Sequence, residues 1–164
     1  MSNKPRVLFL CTHNSARSQM AEAFLCKHGS DYFEAHSAGL EPANIHPMTL
    51  EVMQEVGFDL LSDGHRSKGL DEYFMKVHVG YLITVCANAE AKCPIFPGIT
   101  VREYWGLDDP AAAEGTEAER LAKFREIRDE IEDRVRDFIV RETTNADPNL
   151  DRRPRLDAAQ PASS

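Results

Sequence analysis

Apolar and polar positions follow two alternating periods along this chain. VLFL (7–10) is a short unbroken apolar run, as expected of a strand buried on both faces. From Ser15 the period becomes helical, with Met20, Ala21, Phe24 and Leu25 on one face and Gly29 as a stop signal just past the end. FEAHSAG (33–39) reads as a second strand closed by a glycine. His46-Pro47 opens a second helix running to Gly57, with proline at its first position. GLDEYF (69–74) is a short helix or turn. VGYLITVC (79–86) is the most hydrophobic stretch and predicts a central parallel strand, and ITVREY (99–104) predicts the last one. Thr116-x-x-Glu119 is a capping box. It opens the longest helix, whose apolar stripe runs through Leu121, Phe124, Ile127, Ile131, Val135, Phe138 and Ile139.

Strands alternating with helices predict an α/β fold, a parallel sheet covered on both faces. The 164 residues suit one domain with a proper core, placed at 1–143. Residues 144–164 lose periodicity and aromatics and turn proline-rich and polar, so a disordered C-terminal tail is expected there. A formal net charge of −8 argues against nucleic acid or an anionic membrane as partner. No stretch approaches the roughly 20 apolar residues of a membrane span, and the run before Cys11 is too short for a signal peptide. A cytoplasmic monomer is expected. In that reducing compartment Cys11, Cys26, Cys86 and Cys93 are poor candidates for structural disulfides, and redox, catalytic or metal roles become the better expectation.

LFLCTHNSARS (8–18) carries the chemistry. Cys11 ends the first strand, Arg17 lies near the start of the first helix, and small or polar residues join them. The turn from a parallel strand into a helix is where open α/β sheets bind ligands, with unsatisfied N–H groups and the positive end of the helix dipole facing it. Thr12, His13, Asn14, Ser15, Ala16, Arg17 and Ser18 can therefore cradle a tetrahedral oxyanion. The Arg17 guanidinium can hold two of its oxygens. The same surroundings favour a Cys11 thiolate, a nucleophile aimed at the bound anion, with Ser18 within reach of the sulfur. Taken alone, a cysteine and an arginine at this spacing recur by chance; the strand-to-helix context separates this pair from coincidence.

The stretch resembles the phosphate-binding loop of low-molecular-weight protein tyrosine phosphatases and of the arsenate reductases that share their fold. NSARSQMAEA (14–23) looks more like the reductase branch. The similarity continues through SAG (37–39), ITVC (83–86), CP (93–94) and WGLDDPA (105–111), over about residues 6–140. The resemblance implies a single-domain three-layer sandwich with a central four-stranded parallel sheet. It makes Asp109, directly before the proline, the acid that protonates a departing oxygen, with Asp108 the less essential neighbour. Read without the resemblance, DDP is equally good turn chemistry.

Cys86 and Cys93 separate the two branches. A phosphatase needs one thiolate and water, whereas a reductase must supply two electrons from further thiols. The spacing resembles the resolving pair of thioredoxin-coupled arsenate reductases. The resemblance then implies a cascade: Cys11 attacks arsenate, Cys86 resolves the adduct, Cys93 resolves Cys86, and thioredoxin restores the dithiol. No organic cofactor and no metal are expected, and phosphate or sulfate would compete with arsenate. If ANAEAK (87–92) is helical, its ends lie about 10.5 Å apart, beyond the roughly 7 Å that a disulfide tolerates. Pairing Cys86 with Cys93 then requires residues 86–98 to rearrange. A zinc site is disfavoured by the long spacing and the absence of paired histidines. Cys26, beside Phe24 and Leu25, is assigned to packing.

Two departures from the family are visible. Several members carry a cysteine where this chain has Ala16. Others bind potassium through residues matching Asn14, Glu22 and Ser37 and an acidic residue after a serine. Here Ser67 is followed by Lys68, whose ammonium is expected to take the cation's place. The alternative function is a phosphomonoester hydrolase, which leaves Cys86 and Cys93 without purpose and normally carries DPY rather than DPA. A non-catalytic thiol-based metalloid binder is the third reading, and it would need no acid at Asp109.

Overall fold

The computed structural model describes residues 4–146; the tail expected at 144–164 falls outside them apart from its first three residues, which continue the last helix. Four strands, β1 (Arg6–Cys11), β2 (Glu34–Gly39), β3 (Tyr81–Thr84) and β4 (Val101–Tyr104), form one parallel sheet in the order β2-β1-β3-β4. The helices α1 (Arg17–Gly29), α2 (Pro47–Gln54), α3 (Ala87–Lys92) and α4 (Glu117–Ala146) connect or follow them. Short 3-10 turns stand at Leu70–Glu72 and Pro110–Ala112. From β1 the chain passes to β2 on one side, and β3 pairs on the other. The carboxyl ends of β1 and β3 therefore frame the switch point where such sheets bind ligands.

VLFL is apolar throughout because both faces of β1 are covered: Val7, Leu8, Phe9 and Leu10 are fully buried. On the face carrying Phe9, the ring meets Trp105 at 5.6 Å, and Phe138 of α4 packs against Phe33, Tyr81 and Trp105 at 5.3, 5.5 and 6.4 Å. Truncating a ring so enclosed typically costs about 3–5 kcal/mol. The capping box forms as its spacing predicts: the Glu119 amide donates to Thr116 Oγ1 (3.1 Å), and the Thr116 amide donates to Glu119 Oε1 (2.9 Å).

Several boundaries differ from the pattern, each for a local reason. α1 starts at Arg17 rather than Ser15, because residues 12–16 are spent on the loop. β3 is shorter than 79–86: the Val85 amide still reaches the Leu10 carbonyl (2.9 Å), but Cys86 already caps α3. Gly29 is the last residue of α1, not a left-handed stop beyond it. A β-carbon there would lie 2.8 Å from Ile139 Cδ1 and 2.9 Å from Leu25 Cδ1, so glycine permits the close approach of α1 to α4. Cys26 is exposed rather than packed, since one further step of about 100° past Leu25 carries it onto the outer face of α1.

Candidate active site

Residues 12–16 form a loop, and the carbonyls of residues 11–15 each accept from a donor outside it. The Cys11, Thr12 and His13 carbonyls accept from the amides of Leu40 (3.1 Å), Glu41 (2.8 Å) and Ala43 (3.0 Å). The Asn14 carbonyl accepts from Gln19 Nε2 (3.1 Å), and that of Ser15 from the His46 amide (2.9 Å) and Thr49 Oγ1 (3.0 Å). A trans peptide sets its N–H opposite its C=O, so the amides of residues 12–16 turn inward toward the tip of β1. One of them, Asn14 N–H, donates to Cys11 Sγ at 3.1 Å.

Asn14 makes that curl possible. Its φ of 53° lies in the left-handed region, which asparagine tolerates better than most residues. Both polar atoms of its fully buried side chain have partners: Oδ1 accepts from the Lys68 amide (2.8 Å) and Gln19 Nε2 (2.9 Å), while Nδ2 donates to Ser18 Oγ (2.7 Å). Ser18 Oγ thus has its own hydrogen left for Cys11 Sγ, 2.9 Å away. Two donors converge on the buried sulfur, as a nucleophilic thiolate requires. α1 opens at Ala16 with no side-chain cap, leaving its first amides to whatever the loop holds.

Arg17 ties this loop to the one carrying the expected acid. Its Nη1 donates to the Leu107 carbonyl (3.1 Å), and Nη2 lies 3.7 Å from Asp109 Oδ1. Asp109 is half-exposed at the mouth and accepts from the Ala111 amide at 3.0 Å, so its turn role and its acid position coexist. Asp108 points elsewhere, pairing with Lys123 at 3.2 Å.

Cys86 follows β3 as Cys11 ends β1, across the switch point. Its Sγ lies 3.4 Å from Thr12 Oγ1, which accepts from Asn88 Nδ2 (3.0 Å) and so turns its hydrogen toward the sulfur. The same sulfur accepts from the Ala89 amide (3.4 Å) and is the N-cap of α3. Cys93 is the C-cap at the opposite end; its half-buried thiol donates to the Pro94 carbonyl at 3.3 Å. Burial pushes this thiol up, with Arg102 pulling against it. Cys11, residues 12–18, Asp109 and Cys86 thus share one mouth, whereas Cys93 stands apart at the far end of α3.

The sequence profile of the low molecular weight phosphotyrosine protein phosphatase family matches residues 6–149. The chain belongs to this family. Among its relatives, an arsenate reductase of Shouchella clausii is 43% identical over 136 residues, 83% of this chain and 96% of that protein. A solved arsenate reductase in the phosphate-binding state is 29% identical, with a TM-score of 0.68, covering 84% of this chain and 98% of its own. A thioredoxin-dependent arsenate reductase of Corynebacterium glutamicum is 33% identical with a TM-score of 0.60, covering 84% of this chain and 61% of that one.

Within the family frame, the Lys68 ammonium lies beside residues that match the expected potassium ligands. Lys68 Nζ lies 3.3 Å from Glu22 Oε1, 3.3 Å from Ser37 Oγ and 3.1 Å from the Arg66 carbonyl, and Ser37 Oγ also donates to Glu22. The ammonium stands beside two of the four ligand positions expected for the ion, Lys68 itself fills a third, and Asn14 Oδ1 accepts from amide donors. Among the described residues no group of three or more His, Cys, Asp or Glu could hold a metal ion, and no helix is long and apolar enough to cross a membrane.

The sequence hid three contributors. Gln19, fully buried, braces Asn14, yet reads as an ordinary polar helix residue. Asn88 joins α3 to the loop across a sequence gap of 76 residues. Gly39 carried the clearest signal, a glycine ending a strand: a β-carbon there would lie 2.8 Å from both the Asn14 nitrogen and the Thr12 oxygen.

Proposed function

We propose that this chain reduces arsenate to arsenite by a three-cysteine relay, with thioredoxin as the reductant. The supporting observation is that a second thiol, Cys86, stands at the mouth of the oxyanion loop, 3.4 Å from Thr12 Oγ1, and heads the short helix that ends at a third, Cys93. The relatives named arsenate reductases, one of them thioredoxin-dependent, support the substrate and the donor.

Arsenate enters the loop, where the inward amides and Arg17 take its oxygens. Cys11 thiolate bonds to arsenic as an oxygen leaves, protonated by Asp109. Cys86 then attacks Cys11 Sγ; the sulfur–arsenic bond breaks, its electron pair stays with arsenic, and arsenite departs from a Cys11–Cys86 disulfide. Cys93 thiolate attacks Cys86, releasing Cys11 as thiolate. α3 must open for this, since its two end cysteines are too far apart while it is helical. Thioredoxin reduces the Cys86–Cys93 disulfide. Phosphate and sulfate compete for the loop, and the enzyme acts as a cytoplasmic monomer, where its thiols stay reduced.

Arsenite production with thioredoxin, thioredoxin reductase and NADPH tests this in wild type, Cys93→Ser and Asp109→Asn. Turnover should vanish in Cys93→Ser while about one arsenite per enzyme still forms, and Asp109→Asn should slow even that first arsenite. A Cys93→Ser enzyme with unchanged arsenite turnover would remove Cys93 from the relay, and a wild type that forms no arsenite but hydrolyses an aryl phosphate would point to phosphate-ester hydrolysis instead. An Asp109→Asn enzyme with unchanged arsenite formation would remove the acid from the mechanism.

A further inference from the structure

α3 has six residues, too few to persist on its own strength, so its contacts decide how readily it opens. Apart from its caps, Ala89 is fully buried beneath it, Asn88 holds the loop, and Glu90 holds the sheet. Glu90 Oε1 accepts at 2.7 Å from the hydroxyl of Thr84, a fully buried residue of the central strand β3. The same oxygen accepts at 3.1 Å from Nη2 of Arg102 on the edge strand β4. One carboxylate oxygen therefore fastens the helix to two strands at once, and both donors hold its pKa below the ordinary glutamate value. Glu90 and Arg102 side chains are each 38% exposed, so the Arg102 contact is screened and the buried Thr84 bond dominates.

The partners of Glu90 are provided for when it leaves. Thr84 Oγ1 also lies 3.4 Å from the Glu103 carbonyl, so a small rotation gives the buried hydroxyl another acceptor. Arg102 already exerts its positive charge on Cys93, three residues beyond Glu90 on the same helix.

We infer that Glu90 is a positioning residue for the second thiol exchange: through Thr84 and Arg102 it latches α3 shut in the dithiol state, and its release lets Cys93 reach Cys86. This rests on the relay proposed above. In the step it governs, Cys93 thiolate forms a bond to Cys86 Sγ while the Cys86–Cys11 bond breaks and Cys11 leaves with the electron pair. No outside oxidant enters. A latch that stabilises only the dithiol form makes the Cys86–Cys93 pair harder to oxidise, so removing it should shift the pair toward disulfide.

The test equilibrates full-length protein in glutathione redox buffers and quantifies the Cys86–Cys93 disulfide by alkylation and peptide mass spectrometry. Glu90→Ala should favour the disulfide by roughly tenfold, a potential about 30 mV lower. Thr84→Val should give a similar shift, and the double variant little more than either single one. Glu90→Gln, which keeps an acceptor for Thr84, should move less than threefold. The one-arsenite burst of Glu90→Ala without thioredoxin should equal that of wild type. A Glu90→Ala potential equal to wild type, or shifts that add in the double variant, would overturn the latch. A wild type that forms the disulfide in glutathione but not with arsenate would overturn the relay and leave the latch to be judged by the potentials.

Discussion

Replacing Lys68 by alanine removes one ammonium and leaves its backbone roles intact, since its amide and carbonyl bonds to Asn14 and Gly39 do not depend on the side chain. What remains is the Glu22 carboxylate, 13% exposed, facing Ser37 and with His65 Nδ1 3.5 Å from its other oxygen. Lys68 itself is 9% exposed, so the pair lies on the buried side of the range. Stranding one partner of a buried pair costs about 3–5 kcal/mol, where an exposed pair costs under about 1 kcal/mol. With the Ser37 hydroxyl still donating to Glu22, a loss near the lower end, about 3 kcal/mol, is expected. For a domain of this size that lowers Tm by about 10 °C. The vacated space should then accept a monovalent cation. A site with a Kd of about 10 mM would restore about 1.4 kcal/mol at 100 mM potassium. Urea unfolding in potassium, sodium and choline chloride at equal ionic strength reads all of this. Wild type should be indifferent to the cation, and Lys68→Ala should be stabilised by potassium above choline. A Lys68→Ala loss below about 1 kcal/mol, or a potassium-specific gain in wild type, would refute the substitution of an ammonium for the ion.

Gly39→Ala should drive a β-carbon into the back of the oxyanion loop. Displacement on the ångström scale costs about 100-fold in rate, so arsenite formation should fall by that order, and because the clash is with backbone the fold should lose about 1–3 kcal/mol as well; a rate loss under threefold would contradict it. Burial, aided by Arg120 and opposed by Asp109, holds His46 below the ordinary histidine value, and its Nδ1 accepts from the Met48 amide at 3.0 Å. The unfolded chain therefore takes up this proton first, and the His46 contribution is lost as pH falls below about 6.5. His46→Asn, which keeps a capping acceptor, should lose less stability than wild type between pH 7.5 and 5.5 by urea titration; equal losses would count against it.

Much of the site was legible because it is local. Cys11 through Ser18 are contiguous, and a strand-to-helix turn leaves few ways to arrange them. The capping box at Thr116 and Glu119 was equally readable. Cys26 failed because neighbours in sequence are not neighbours on a helix face: Phe24 and Leu25 are buried and the next residue is not. Gly29 failed because a glycine at a helix end has two uses, left-handed turning and close packing, and only the position of Ile139 decides between them. Gln19, Asn88 and Glu90 were invisible for a different reason. Their partners are Asn14, Thr12, and Thr84 with Arg102, and nothing in a polar residue's identity says which distant group it will meet.

The sulfur of Cys86 has two occupations, as acceptor for the Ala89 amide at the head of α3 and as a thiol beside the oxyanion loop. Any reaction that ties up this sulfur, whether disulfide formation, alkylation or capture by a soft metal, draws away the electron density that the amide was using. The helix then begins to fray from its first turn, before any other part of the protein has been asked to move. Covalent events at Cys86 should therefore be visible as lost amide protection in residues 89–92, which makes this short segment a built-in gauge of the thiol's chemical state.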